Sequence, residues 1–158
     1  MRPGVLVSRL LVIAAAVPTV VLAAAPDSRI GRWTERKGTA SYQGLRRSFE
    51  DLGDGRVRVN IALDPQGRAG SFAELRCDGQ PQPVQSRDPG PAMTLACRTL
   101  DAATTEFTFV RAAKDGWVKS TGRERVSRDG AVMTVSAVQT DAKGATTARI
   151  QRIFDRQR

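Results

Sequence analysis

The chain has 158 residues, carries 25 Lys and Arg against 16 Asp and Glu, and contains no histidine, which gives a formal net charge of +9. The missing histidine removes the commonest general base and the commonest side-chain metal ligand. The basic charge favours contact with anionic surfaces but selects none of them. The length allows one hydrophobic core, and it is too short for two ordinary domains once a leader is subtracted.

The first 25 residues have the pattern of a secretory signal peptide. Arg2 and Arg9 give a basic start, residues 10–22 form an apolar run, and three alanines follow at 23–25. This order of basic, apolar and small residues is typical of exported proteins. A retained membrane anchor is the alternative, but the run is short for a membrane-spanning helix and Pro18 interrupts it.

We therefore predict a signal peptide over residues 1–25 and a single β-barrel-like domain over residues 26–158. Cleavage is expected after Ala23, with Ala24 as the alternative. The leader takes two arginines with it, so the charge of the remaining domain falls from +9 to +7. We expect this domain to be periplasmic or secreted and to have no transmembrane segment.

Asp-Gly dipeptides punctuate the rest of the chain at residues 54–55, 78–79, 115–116 and 129–130. Glycine reaches positive φ without a steric clash and aspartate tolerates it, so Asp-Gly is typical of tight β-hairpin turns. The segments between them alternate apolar and polar residues, most clearly where Val57, Val59 and Ile61 share one face. The pattern predicts consecutive antiparallel hairpins.

Trp33 comes first in chain order and is expected to close one end of the fold, whereas residues 34–44 have no sustained period. The predicted strands cover residues 45–52, 56–63, 71–77, 93–99, 104–111, 117–127, 131–140 and 145–154. Four prolines in residues 80–91 limit pairing there to a short edge piece around Val84. We predict an all-β fold, either an antiparallel up-and-down barrel or a strongly curved sheet of about eight strands, since closure removes exposed edges.

Cys77 and Cys97 are the two cysteines of the chain, and an even number in an exported protein favours one disulfide. The loop that they would close has about twenty residues, for which loop entropy gives a stabilisation of about 3 kcal/mol. Two free thiols are the alternative. We predict a structural disulfide.

Several motifs resemble those of known β-barrel proteins. Residues 31–33, Gly-Arg-Trp, resemble the glycine-x-tryptophan motif of the lipocalin and calycin barrels. Residues 52–57, 77–84 and most of 115–144 resemble a family of small exported, lipocalin-like bacterial proteins whose biochemical role is unassigned. The chain departs from that family around its second Asp-Gly turn, where relatives usually carry aromatic residues and this chain has cysteine and glutamine. The resemblance implies a lipocalin-like barrel in the cell envelope, and it implies no activity.

Few residues in the chain could carry catalysis. Without histidine, and with the cysteines paired, no obvious side chain is left to titrate near neutral pH. The aspartates of the predicted turns are explained by hydrogen bonds to the backbone, and no Asp-x-Asp spacing suggests a metal site. Glu124 is predicted to face inward, where it pairs with an arginine on a neighbouring strand or binds a cationic ligand. We predict a nonenzymatic protein with no metal and no cofactor.

The first functional prediction is a binding site inside the barrel, because an eight-stranded antiparallel barrel can enclose one small molecule. The side chains expected to hold a small apolar ligand are Trp33, Phe107, Phe109, Met133, Val135 and Ile150. The alternative is that these side chains fill the interior completely.

The second functional prediction concerns the outer surface. Trp117 shares a predicted face with the basic residues Lys119, Arg123 and Arg125. This basic patch is expected to contact an anionic lipid, a polymer or a partner protein of the envelope, and no specific nucleic acid. The alternative is that the stems of the basic side chains cover Trp117.

Overall fold

The structure, a computed structural model, describes residues 26–36, 45–63, 66 and 68–158. The predicted signal peptide and both predicted cleavage positions lie outside the described residues. In the described part of the chain, no helix has the length and apolar character needed to cross a bilayer.

Eleven strands form a single antiparallel sheet in the described residues. They are β1 (Gly31–Glu35), β2 (Arg46–Gly53), β3 (Arg56–Leu63), β4 (Ala69–Leu75), β5 (Gln82–Pro83), β6 (Gln85–Ser86), β7 (Met93–Thr99), β8 (Thr104–Ala113), β9 (Gly116–Val126), β10 (Val132–Thr140) and β11 (Thr146–Arg156). Each of the eight predicted segments contains a strand. The three additional strands are short. β1 has five residues, and β5 and β6, which lie among prolines, have two residues each.

Three of the four Asp-Gly dipeptides lie where consecutive paired strands meet. Asp54 and Gly55 between β2 and β3 have φ values of 52° and 69°, the left-handed geometry that a tight hairpin turn requires. The remaining dipeptide does not form the predicted hairpin. Asp78 makes an isolated bridge to Arg98 on β7 instead, because the chain crosses from β4 to β7 here and returns to β4 only at β6.

The strand order is β5-β7-β8-β9-β10-β11-β1-β2-β3-β4-β6. A meander of β1 to β4 and a second meander of β7 to β11 are joined where β1 pairs with β11, with Trp33 opposite Arg156. The two halves of the chain therefore form one continuous wall.

The strands β4 and β7, each next to one edge of the sheet, are brought together by the segment between them. On one side β5 pairs with β7, and on the other β6 pairs with β4. Between them the amide of Val84 donates to the carbonyl oxygen of Met93 at 2.9 Å. The predicted disulfide is confirmed, and it joins Cys77, just after β4, to Cys97 on β7. We call this junction the seam; it nearly closes the sheet into a barrel, which confirms the predicted fold class.

Inward-facing side chains form the core, as the period-two pattern predicts. At one end of the barrel Trp33 is fully buried, and its Nε1 donates to the carbonyl oxygen of Arg29 at 2.7 Å. The Arg156 guanidinium lies 4.3 Å from the centroid of the Trp33 ring and donates to three backbone carbonyl oxygens. These contacts close this end of the barrel.

Gly122 on β9 allows a close approach to β10. A Cβ at this position would overlap the carbonyl oxygen of Ser136 and would lie 2.6 Å from the Cβ of Ala137. Cores pack too tightly to absorb such an overlap without displacing a strand. Glycine is therefore required here for β9 and β10 to stay paired.

Candidate functional site

A cavity of about 260 Å³ lies inside the barrel. Its lining is mostly aliphatic and aromatic and includes Leu45, Ile61, Leu95 and Ala137, with the disulfide-bonded Cys97. The polar side chains of the lining are Arg29, Arg47, Ser71, Ser120, Glu124 and Arg152. The side chains of the barrel therefore do not fill its interior completely.

Four of the six predicted ligand-contacting residues line this cavity, namely Phe107, Phe109, Val135 and Ile150. The other two, Trp33 and Met133, are fully buried in the core and are not part of the lining. All six lie on the inner face, but the sequence pattern does not report how deep each lies along the barrel. The ligand contacts themselves stay a prediction.

A buried ionic cluster forms one part of the cavity wall. Glu124 is 3% exposed, and its Oε2 accepts a hydrogen bond from Arg29 Nη1 at 2.9 Å while its Oε1 lies 2.8 Å from Arg47 Nη1. Arg29, itself 2% exposed, also donates through Nη2 to Asp27 at 2.7 Å. Each oxygen of Glu124 thus faces its own guanidinium, which is the arrangement that compensates the burial of a carboxylate.

The charge state of Glu124 follows from these contacts. Burial alone would raise the pKa of its carboxyl group, but the charges and hydrogen bonds of Arg47 and Arg29 outweigh burial and lower the pKa below its ordinary value. For Asp27, burial likewise opposes ionisation, and the hydrogen bonds and charge of Arg29 lower its pKa. Both carboxylates are ionised at neutral pH.

The prediction that Glu124 pairs with arginine is confirmed, but the predicted location of the arginine is wrong. The strands adjacent to β9 are β8 and β10. Arg29 lies in the turn before β1, and Arg47 lies on β2, four strands away from β9 in the order of the wall. Alternation indicates which face a side chain takes, and it cannot indicate which residue that side chain meets across the interior.

Aromatic rings hold Arg47 in place. Its guanidinium carbon lies 5.1 Å from the centroid of Phe49 and 5.8 Å from that of Phe154, within the range of cation–π attraction. The Arg47 Nε is buried and has no hydrogen-bond partner within the described residues. The two rings therefore fix the orientation of a guanidinium whose hydrogen bonding is incomplete.

Arg152 on β11 is the most accessible arginine of the lining. Its side chain is 20% exposed, against 13% for Arg47 and 2% for Arg29. Arg152 Nη1 donates to Oε2 of the buried Glu35 at 3.5 Å, the one side-chain hydrogen bond that Arg152 makes within the described residues. The alternation that places Ile150 inward also places Arg152 inward, so the sequence carried a signal for this residue that the sequence analysis missed.

The lining supports binding chemistry. Guanidinium groups stay protonated at neutral pH and act as hydrogen-bond donors, so they suit acceptor atoms of a ligand and cannot serve as bases. Among the residues that the structure describes, no three His, Cys, Asp or Glu side chains are grouped in a way that would hold a metal ion.

The two faces of β9 divide as predicted. Ser120, Glu124 and Val126 are buried, whereas the basic patch of Trp117, Lys119, Arg123 and Arg125 is exposed. Trp117 is 38% exposed, so neighbouring side chains cover it only in part. The Nε of Arg123 lies 3.5 Å from Oε1 of Glu106 on β8, so a carboxylate lies next to the patch.

The barrel-like sheet and its disulfide define an all-β protein of a non-cytoplasmic compartment, because disulfides persist under oxidising conditions. A comparison with protein-family models finds no match for the chain, and a comparison with curated proteins finds none either.

Proposed function

We propose that the chain is a nonenzymatic exported barrel protein, periplasmic or secreted, that binds one small and mainly apolar molecule in its interior. The observation that carries this proposal is the cavity of about 260 Å³ with its largely apolar lining. The resemblance of residues 31–33 and of the later turns to small exported lipocalin-like bacterial proteins supports the same proposal.

The volume of the cavity limits the size of the ligand. An apolar protein cavity of about 150 Å³ binds benzene, which has six non-hydrogen atoms. In proportion, a cavity of 260 Å³ takes about ten non-hydrogen atoms. The ligand is therefore a compact lipophilic molecule, much shorter than a membrane fatty acid.

Binding of decane tests the proposal, because decane has the expected size and no polar group. Equilibrium dialysis, with decane quantified by gas chromatography, should show one binding site in the wild type. Val135→Phe enlarges a side chain of the lining and should weaken binding at least tenfold. Ser136→Val changes the next, outward-facing residue of β10 and should leave binding unchanged. A wild-type protein that binds no lipophilic molecule of this size contradicts the proposal, and so does equal binding of decane by both variants.

Native mass spectrometry of the protein purified from its own envelope identifies the natural occupant. A small molecule that co-purifies at one per chain supports the carrier function. A stoichiometric protein partner with an empty barrel instead supports the second candidate.

The second candidate function is an envelope interaction module that uses the basic patch, and the exposure of Trp117 together with three basic side chains on one strand favours it. Retention on heparin and on vesicles that contain anionic lipid should fall for Trp117→Ala and Arg123→Glu. Arg128→Glu, in the exposed turn after β9, gives the same change of charge outside the patch and serves as the control. Equal retention of all these variants would exclude the patch as the contact.

A further inference from the structure

We infer that the ligand of the cavity is electrically neutral and carries one hydrogen-bond acceptor, such as the carbonyl oxygen of a ketone, aldehyde or ester, which binds Arg152. The inference rests on the proposed function, because it names the chemical class that the cavity takes. It depends on two observations, the spare donors of Arg152 and the balance of charge around the cavity.

Arg152 offers donors at the cavity wall. A guanidinium has five N–H groups, and Arg152 uses one of them on Glu35 at the long distance of 3.5 Å. Arg152 lines the cavity, and its side chain is 20% exposed. Arg29, by contrast, is 2% exposed and its donors are engaged by Asp27, Glu124 and Cys77. Arg47 also lines the cavity, but its guanidinium lies against the rings of Phe49 and Phe154 and its side chain is 13% exposed, so an acceptor on a ligand finds the more accessible donors at Arg152.

Among the residues that the structure describes, the ion-paired side chains around the cavity carry balanced charges. The six side chains joined by ion pairs there are Asp27, Arg29, Glu35, Arg47, Glu124 and Arg152. Three are positive and three are negative, so their sum is zero. A carboxylate ligand would add an uncompensated negative charge to a largely apolar space, and an ammonium ligand would add a positive one, which is costly in either case. A carbonyl oxygen accepts from Arg152 without changing the balance.

Glu35 sets this preference for a neutral ligand. Its carboxylate is buried, does not line the cavity and contacts Arg152 through Nη1 alone, which leaves Nε and Nη2 of Arg152 for a ligand. Without Glu35, Arg152 would be an unpaired cation beside the cavity, and a guanidinium of that kind prefers a carboxylate. Glu35 is thus a specificity-determining residue that acts through Arg152.

Four probes of about ten non-hydrogen atoms separate the possibilities. They are decane, 2-nonanone, nonanoate and nonylammonium, each measured by equilibrium dialysis against the full domain. In the wild type we expect 2-nonanone to bind about tenfold more tightly than decane, the gain of one hydrogen bond to a charged donor. We expect nonanoate and nonylammonium to bind more weakly than 2-nonanone.

The variant Glu35→Gln then tests the role of the charge balance. It should increase the affinity for nonanoate at least tenfold relative to 2-nonanone, because Arg152 loses its counterion. Glu106→Gln removes the same charge from the outer face of β8 and should leave all four affinities unchanged. If Glu35→Gln does not fold, the order of the probes in the wild type still decides the inference.

The outcomes distinguish this inference from the proposed function. Equal affinities for decane and 2-nonanone, or tighter binding of nonanoate by the wild type, would overturn the inference and leave the carrier function in place. A Glu35→Gln protein whose affinity for nonanoate relative to 2-nonanone equals that of the wild type would also overturn it. A wild type that binds none of the four probes would overturn both.

Discussion

The substitution Glu124→Gln removes the charge at the centre of the buried cluster and keeps the shape of the side chain. Breaking a buried ion pair usually costs 3 to 5 kcal/mol, because a charge stays behind without compensation. Arg29 keeps Asp27 at 2.7 Å, whereas Arg47 loses its ion pair at 2.8 Å, so we expect the lower end of that range, about 3 kcal/mol. For a domain of this size that loss corresponds to a fall in Tm of about 10 °C. Urea denaturation of the oxidised protein at pH 7, followed by tryptophan fluorescence, measures it.

Glu106→Gln on the adjacent strand is the matched control. The Glu106 side chain is 40% exposed and lies 3.5 Å from Arg123, so its removal should cost less than about 1 kcal/mol. If the two variants lose the same small amount of unfolding free energy, Glu124 does not compensate buried arginines and the electrostatic reasoning fails.

Three further predictions concern stability. Gly122→Ala should lower the unfolding free energy by about 1 to 3 kcal/mol, because the new Cβ overlaps β10. Gly90→Ala, whose Cβ would meet nothing closer than 3.8 Å, should change the unfolding free energy by less than about 0.5 kcal/mol. Equal losses for the two variants in urea titrations would contradict this prediction. Replacing both Cys77 and Cys97 by alanine should cost about 3 kcal/mol for a separation of 20 residues, and an unchanged urea midpoint would show that the disulfide contributes nothing. The pKa of Glu124 is lowered in the folded state, so its stabilisation is complete above the unfolded pKa of about 4.3 and is lost as the pH falls through the folded pKa. The difference between wild type and Glu124→Gln should therefore shrink below about pH 4, and a difference that stays constant down to pH 2 would refute this assignment.

Features that depend on neighbouring residues could be predicted from the sequence. The alternation along β3 places Val57 and Val59 inward, and both are buried. The same rule on β9 separates Glu124 from Trp117 correctly. These predictions succeed because successive side chains of any strand point to opposite faces, whatever the rest of the fold does.

Features that depend on closure of the barrel could not be predicted in this way. The partners of Glu124 come from β2 and from the turn before β1, and they meet it because the strands wrap around a common interior. In the seam, residues 82–83 pair with β7 and residues 85–86 pair with β4, an arrangement that no local period reports. The cavity itself is the volume left over when all inward side chains are placed together, so residues such as Arg152 acquire their role only in three dimensions.

Oxidation of Cys77 and Cys97 to a disulfide completes the seam. Between β4 and β7 the wall is held by two paired residues on each side of residue 84, by backbone hydrogen bonds between residues 77–79 and β7, and by the Cys77–Cys97 disulfide. At the other junction of the two meanders, β1 and β11 have three paired residues. Without the disulfide the chain would keep its two meanders, but β4 and β7 would be held together by backbone pairing alone. If this junction opened, the apolar lining of the cavity would be exposed to water. The Cys77–Cys97 disulfide thus ties the two meanders into a wall that encloses the cavity.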